Sequence, residues 1–145
     1  MGLLYPEQVV VMDLEQMQTT HEQEIELLNS IDKLAIRYER DGDPSLREEL
    51  EVKLDEYVNH VKEHFASEER LMEKYDFHAY EMHKMAHDMF LMDLAYAQMM
   101  WKEHGDLQKM ITFIRKTPEW LIMHIDSVDK PTAAFLAKRI NQKKE

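Results

Sequence analysis

The sequence predicts an all-α fold: an up-down-up-down antiparallel four-helix bundle with a short C-terminal helix. Three observations carry this. Apolar residues recur at steps of three and four through long stretches. Only three Gly and four Pro occur in 145 residues, so signals for strands and tight turns are scarce. The breakers that do occur leave long segments joined by short loops, which favours antiparallel neighbours.

The first helix is expected from about Val11 to Arg40, with Met17, Leu27, Leu28, Ile31, Leu34 and Ile36 at the helical period. Asp41-Gly42-Asp43-Pro44 stops it. The second runs from near Ser45 to about Tyr75, carrying Leu46, Leu50, Leu54, Tyr57, Val61, Phe65 and Leu71. Asp76 to His78 form a short connection, and the third helix spans about Tyr80 to Glu103, ending at Gly105. The fourth covers about Leu107 to Val128. Within it Thr117-Pro118-Glu119 has the signature of a fresh helix start, so a kink or break is expected there. A tail helix follows Pro131, from Thr132 to Ile140. The whole chain reads as one domain, 1–145, with its core at about 12–130.

Composition narrows the function. At 44% hydrophobic and 32% charged residues the chain is globular. A chain of this length buries roughly 68–70% of its unfolded surface, enough for a core. The net charge of −11 argues against nucleic acid or an anionic membrane as partner, since both need a basic patch. The absence of cysteine excludes disulfides, iron–sulfur clusters and thiol chemistry. No signal peptide or membrane span is evident, so a cytoplasmic protein is expected. Met1-Gly2 lacks the downstream Ser or Thr of a myristoylation motif, with Pro6 in its place. The 12 methionines include Met82, Met85, Met89 and Met92 on the third helix and Met123 beside His124; adaptable core packing is the reading given to them.

The placement of the eight histidines is the informative feature. His64 and Glu68 are four apart on the second helix, and His83 and His87 are four apart on the third. Residues at that spacing share a helix face, with Cβ atoms roughly 5–6 Å apart, and two such side chains can converge on one ion. The fourth helix offers His124 and Asp129, and the first offers His21. Every helix thus supplies a donor, and bundle cores are where such sites are built. Each pair alone is ordinary surface chemistry; their combination is not. Imidazole and carboxylate without thiolate suit iron, zinc, copper or nickel. Seven donors exceed the four of one zinc and suit two ions sharing bridging carboxylates. Two ferrous ions carry four positive charges, of which two carboxylates cancel half. That balance favours reversible dioxygen binding over oxidation of strong C–H bonds. His60, one turn before His64, is expected beside the site rather than in it, and His78 and His104 are expected in solvent near helix ends.

The order His21, then His64-x-x-x-Glu68, then His83-x-x-x-His87, then His124-x-x-x-x-Asp129 resembles the hemerythrins, especially their single-domain bacterial members. The flanks His64-Phe65-Ala66-Ser67-Glu68-Glu69 and Trp120-Leu121-Ile122-Met123-His124-Ile125 resemble the family's second- and fourth-helix motifs. The similarity spans about Met12 to Lys130. It implies two iron ions. One would take His83, His87 and His124. The other would take His21 and His64 and keep a position open for dioxygen. Glu68 and Asp129 would bridge them, together with an oxo or hydroxo group from solvent. Phe65, Trp120 and Ile125 match apolar pocket positions. The resemblance thus implies an oxygen-binding protein, serving storage, transport or sensing, as a monomer or weak homo-oligomer.

Glu24 departs from the pattern. It follows His21 by three, where the family typically has Leu against the dioxygen pocket. A carboxylate in an apolar pocket is costly unless paired, protonated or metal-bound. Either it rotates outward or the local helix register differs, or it approaches the open iron and ligates it or hydrogen-bonds to the bound ligand. The latter would shift the chemistry toward a diiron oxidase or peroxidase. Iron storage or a purely structural bundle is the third possibility. The stretch Ile114 to Glu119 before Trp120 also looks longer than the family's, leaving the placement of Trp120 open.

Overall fold

Four long helices followed by a shorter fifth account for nearly all of residues 15–144, which are those described by the computed structural model. They are α1 (Glu15–Asp41), α2 (Pro44–Lys74), α3 (Tyr80–His104), α4 (Leu107–His124) and α5 (Lys130–Lys144), with a π-helical turn, Ile125–Asp129, between the last two. Neighbours in sequence pack against each other, and α1 also packs on α4, closing the up-down-up-down ring. The expected start of the first helix at Val11 and the features read at Met1 to Pro6 lie outside the described residues.

The loops work as their residues dictate. Gly42 takes a left-handed conformation, φ 64°, that ends α1, and its N–H donates to Tyr38 O at 2.7 Å. Asp43 then caps α2 by accepting from Ser45 N at 2.9 Å, with Pro44 in the first turn. Gly105, φ 68°, closes α3, and Asp106 caps α4 through Lys109 N at 3.1 Å. Leu28, Ile31, Leu50, Leu54, Tyr57, Val61, Leu94, Met110, Ile111 and Leu121 fill the core. Among the described residues no helix is long and apolar enough to cross a membrane.

Two expectations are corrected. First, the break expected at Thr117-Pro118 does not occur: α4 is continuous from Leu107 to His124. Proline removes one main-chain donor, and the adjacent Thr117 hydroxyl bonds to Phe113 O at 2.9 Å within the same turns. Both residues are buried against the bundle, which holds the helix together there. The irregularity falls instead at Ile125–Asp129, where the N–H of Lys130 reaches the carbonyl of Ile125, five residues back.

Second, the methionines of α3 are not core. Met82, Met85, Met89 and Met92 are 62–72% exposed, and Met123 is 71% exposed. His83, His87, Phe90, Leu94, Ala97 and Trp101 form the buried face of α3. The methionines lie on the opposite side. The helix is apolar on two faces, and the one that carries the histidines together with Phe90, Leu94 and Trp101 turns inward.

Candidate metal centre

All seven donors predicted from the sequence converge in the bundle interior. His21, His64, Glu68, His83, His87, His124 and Asp129 are each at most 5% exposed. The four-residue spacings on α2 and α3 put His64 with Glu68, and His83 with His87, on single inward faces. His124 and Asp129 are five apart, which in an α-helix would leave them about 140° around the axis from each other. The π-helical turn, with its i→i+5 hydrogen bonding, brings them onto one face. His124 Nε2 consequently lies 3.1 Å from Asp129 Oδ1.

The donors sort into two sets. Around Glu68 Oε1 and Asp129 Oδ1 stand three imidazoles. His83 Nε2 is 3.3 Å from the first oxygen and 3.0 Å from the second. His87 Nε2 is 3.2 Å from Glu68 Oε1. The other oxygens of the same carboxylates face two further rings: His64 Nε2 meets Glu68 Oε2 at 2.5 Å, and His21 Nε2 meets Asp129 Oδ2 at 2.9 Å. Each carboxylate therefore presents one oxygen to each set. Two ligands at about 2.1 Å from one ion and roughly at right angles are about 3 Å apart, so this spacing suits shared cations.

The unsatisfied atoms point the same way. His83, His87 and His124 Nε2, Glu68 Oε1 and Asp129 Oδ1 are all buried without a hydrogen-bond partner. Such orphans are rare in protein interiors unless an ion or water meets them. Burial pushes the Glu68 carboxyl up, but His64, His83 and His87 outweigh it and hold the group well below its ordinary range. Burial pushes His83 down, while Asp129 and Glu68 raise it to about 9. The carboxylates thus stay charged and draw positive charge to the imidazoles, whether as protons or as metal, which compete for the same nitrogens.

The chain is 31% identical over 121 residues to a bacteriohemerythrin from Aquifex aeolicus (strain VF5), covering 83% of this chain and 87% of that relative. It is also 31% identical over 86 residues to a bacteriohemerythrin from Ralstonia nicotianae (strain ATCC BAA-1114 / GMI1000), covering 59% and 62% respectively. The chain belongs to the hemerythrin family. No family model and no solved structure matches it.

Two of the apolar residues singled out in the sequence, Phe65 and Trp120, lie against the imidazole rings. Phe65 stacks on His87 with centroids 3.9 Å apart and planes 3° from parallel, and lies 5.4 Å from His64. Trp120 stacks on His124 at 4.4 Å and 13°, so it covers the set with three imidazoles. Ile125 is fully buried. Glu24 is not turned outward: it is 1% exposed. Its Oε2 stands 3.6 Å from His64 Nδ1, the ring nitrogen away from Glu68.

Sequence reasoning missed the residues behind the donors. Glu69 receives a hydrogen bond from His87 Nδ1 at 3.0 Å. Adjacent to Glu68 in sequence, it is turned about 100° around α2, toward α3. Thr132 accepts from His83 Nδ1 at 2.8 Å and donates its own proton to Val128 O at 2.8 Å. These partners place the ring protons on Nδ1 and leave the Nε2 lone pairs facing inward. Glu69→Ala is expected to weaken metal binding by about tenfold or more, measured by competition with a chelator. An unchanged affinity would show that Glu69 does not orient His87. His78 and His104 are exposed, as expected.

Proposed function

We propose that this centre holds two iron ions and binds dioxygen reversibly at the ion held by His21 and His64. One observation carries the reading: Glu68 and Asp129 divide their oxygens between unequal donor sets, three imidazoles on one side and two on the other. With both carboxylates counted, one ion would have five protein donors and the other four. When bound, two ferrous ions would supply the electrons for dioxygen and the free coordination position.

The chain's own residues do the rest. Glu69 and Thr132 hold His87 and His83 in the tautomer that presents Nε2. Phe65 forms an apolar wall beside His64 and His87, which favours an apolar gas over water. The five imidazoles leave the centre with less negative charge than a carboxylate-rich one, which supports binding over oxidation of substrates.

The test uses the whole protein, reconstituted with ferrous iron without oxygen. Metal analysis is expected to give two irons per chain. Admitting oxygen should produce visible absorption that disappears when oxygen is withdrawn. Less than one iron per chain overturns the metal reading; two irons with no reversible absorption overturns the oxygen reading. A second reading, an oxidase or peroxidase, draws support from the buried Glu24 carboxylate, which adds negative charge beside His64. Irreversible bleaching with consumption of peroxide would favour it.

A further inference from the structure

A third group of buried donors lies at the outer edge of His64. Glu24, His60 and His64 bring one donor atom each within 4.8 Å of one another. Glu24 Oε2, His60 Nε2 and His64 Nδ1 are all buried and have no hydrogen-bond partner. Glu24 and His64 are 1% and 5% exposed. The remaining polar atoms are engaged elsewhere. Tyr57 OH donates to Glu24 Oε1 at 3.0 Å, and the His60 ring bonds to the main chain of Thr20.

The 3.6 Å between Glu24 Oε2 and His64 Nδ1 is too long for a hydrogen bond. Two ligands at about 2.1 Å from one tetrahedral ion would be roughly 3.4 Å apart. Two imidazoles and one carboxylate suit a divalent transition metal rather than magnesium or calcium.

We propose that Glu24, His60 and His64 form an uptake site, which captures a divalent transition-metal ion and passes it inward through His64. The proposal rests on the reading of the inner donors as a metal centre. Those inner donors are almost wholly shielded. His60 is only half-buried, and it lines a surface cavity of about 170 Å³ with Thr20, Gln23, Glu63, His64 and Ser67. His64 belongs to both donor sets, Nδ1 facing Glu24 and Nε2 facing Glu68. An ion moving from one set to the other crosses a single imidazole ring. While Nδ1 holds the outer ion, the ring proton sits on Nε2 beside Glu68; when the ion moves to Nε2 that proton is released, Nδ1 takes one up beside Glu24, and the outer set loses a ligand. The site therefore works during loading and adds nothing to the final metal content.

The experiment mixes metal-free, full-length protein with a small excess of Co2+ over two ions per chain in stopped flow and follows the cobalt visible absorption. His60→Ala is expected to slow filling by roughly tenfold while the final content stays at two ions per chain. Glu24→Gln should slow it similarly. His60→Asp, which restores a ligand, should recover most of the rate. His60→Ala filling at the wild-type rate overturns the uptake site, as does His60→Asp remaining as slow as His60→Ala. A wild-type content below one ion per chain sinks the inner centre and the uptake site together.

Discussion

Glu68→Gln is expected to leave less than one tightly held metal ion per chain, read by metal analysis after gel filtration. The substitution keeps the volume of the side chain and removes its charge. Among the described residues Glu68 is the one carboxylate that touches imidazoles from both α2 and α3: its Oε2 meets His64, and its Oε1 meets His83 and His87. A neutral amide offers one oxygen and one N–H, so at one of the two donor sets an acceptor becomes a donor aimed at a cation. The metal-free protein should also lose on the order of 3 kcal/mol at neutral pH, because buried imidazoles lose their counter-charge. The sign of the pH dependence checks this cause. Glu68 has its pKa lowered by folding from an ordinary 4.5, so its contribution is present above that value. The stability gap between wild type and variant should close as pH falls through the lowered pKa. A gap that stays constant into strong acid would assign the loss to packing instead.

Phe65→Ala is expected to cost about 3–5 kcal/mol of stability, measured by denaturant unfolding of the metal-free chain. The ring is 2% exposed and sits at the junction of two systems. One is the apolar core through Phe90, at 5.7 Å, and Trp120, at 6.2 Å. The other is the donor set through the parallel stack on His87. Truncation removes the core contacts and opens space beside two histidines. In the loaded protein, the oxygen-dependent absorption should decay roughly tenfold faster or more, since a low-dielectric wall is replaced by room for water. Phe65→Leu keeps most of the bulk and should lie between the two. Equal lifetimes in all three proteins would remove Phe65 from the function.

Much of the centre was legible because its spacings are local. A four-residue step fixes His64 beside Glu68, and His83 beside His87, wherever the helices go. The same holds for the breakers at Gly42 and Gly105, whose left-handed conformations need no partner from elsewhere in the chain. Glu24 was legible as an anomaly, being an acid one turn from His21, but not in its role. Its neighbours Tyr57, His60 and His64 all come from α2, and no spacing within α1 could name them.

The sequence by itself determined the helices, the breaks between most of them, and the kinds of donor atom each would carry. The tertiary structure decided which way doubly apolar surfaces turn. On α3 the face with His83, His87, Phe90, Leu94 and Trp101 packs inward, which leaves Met82, Met85, Met89 and Met92 in solvent. It also decided that α4 passes through Pro118 and loosens only at Ile125–Asp129, where the five-residue step from His124 to Asp129 demands a wider turn. Finally, it gave each carboxylate oxygen its own set of imidazoles and supplied Glu69 and Thr132 behind them. The physical reason is common to all three. Helical propensity and periodicity act within one segment, whereas the distance between donors on different helices exists only once those helices have packed.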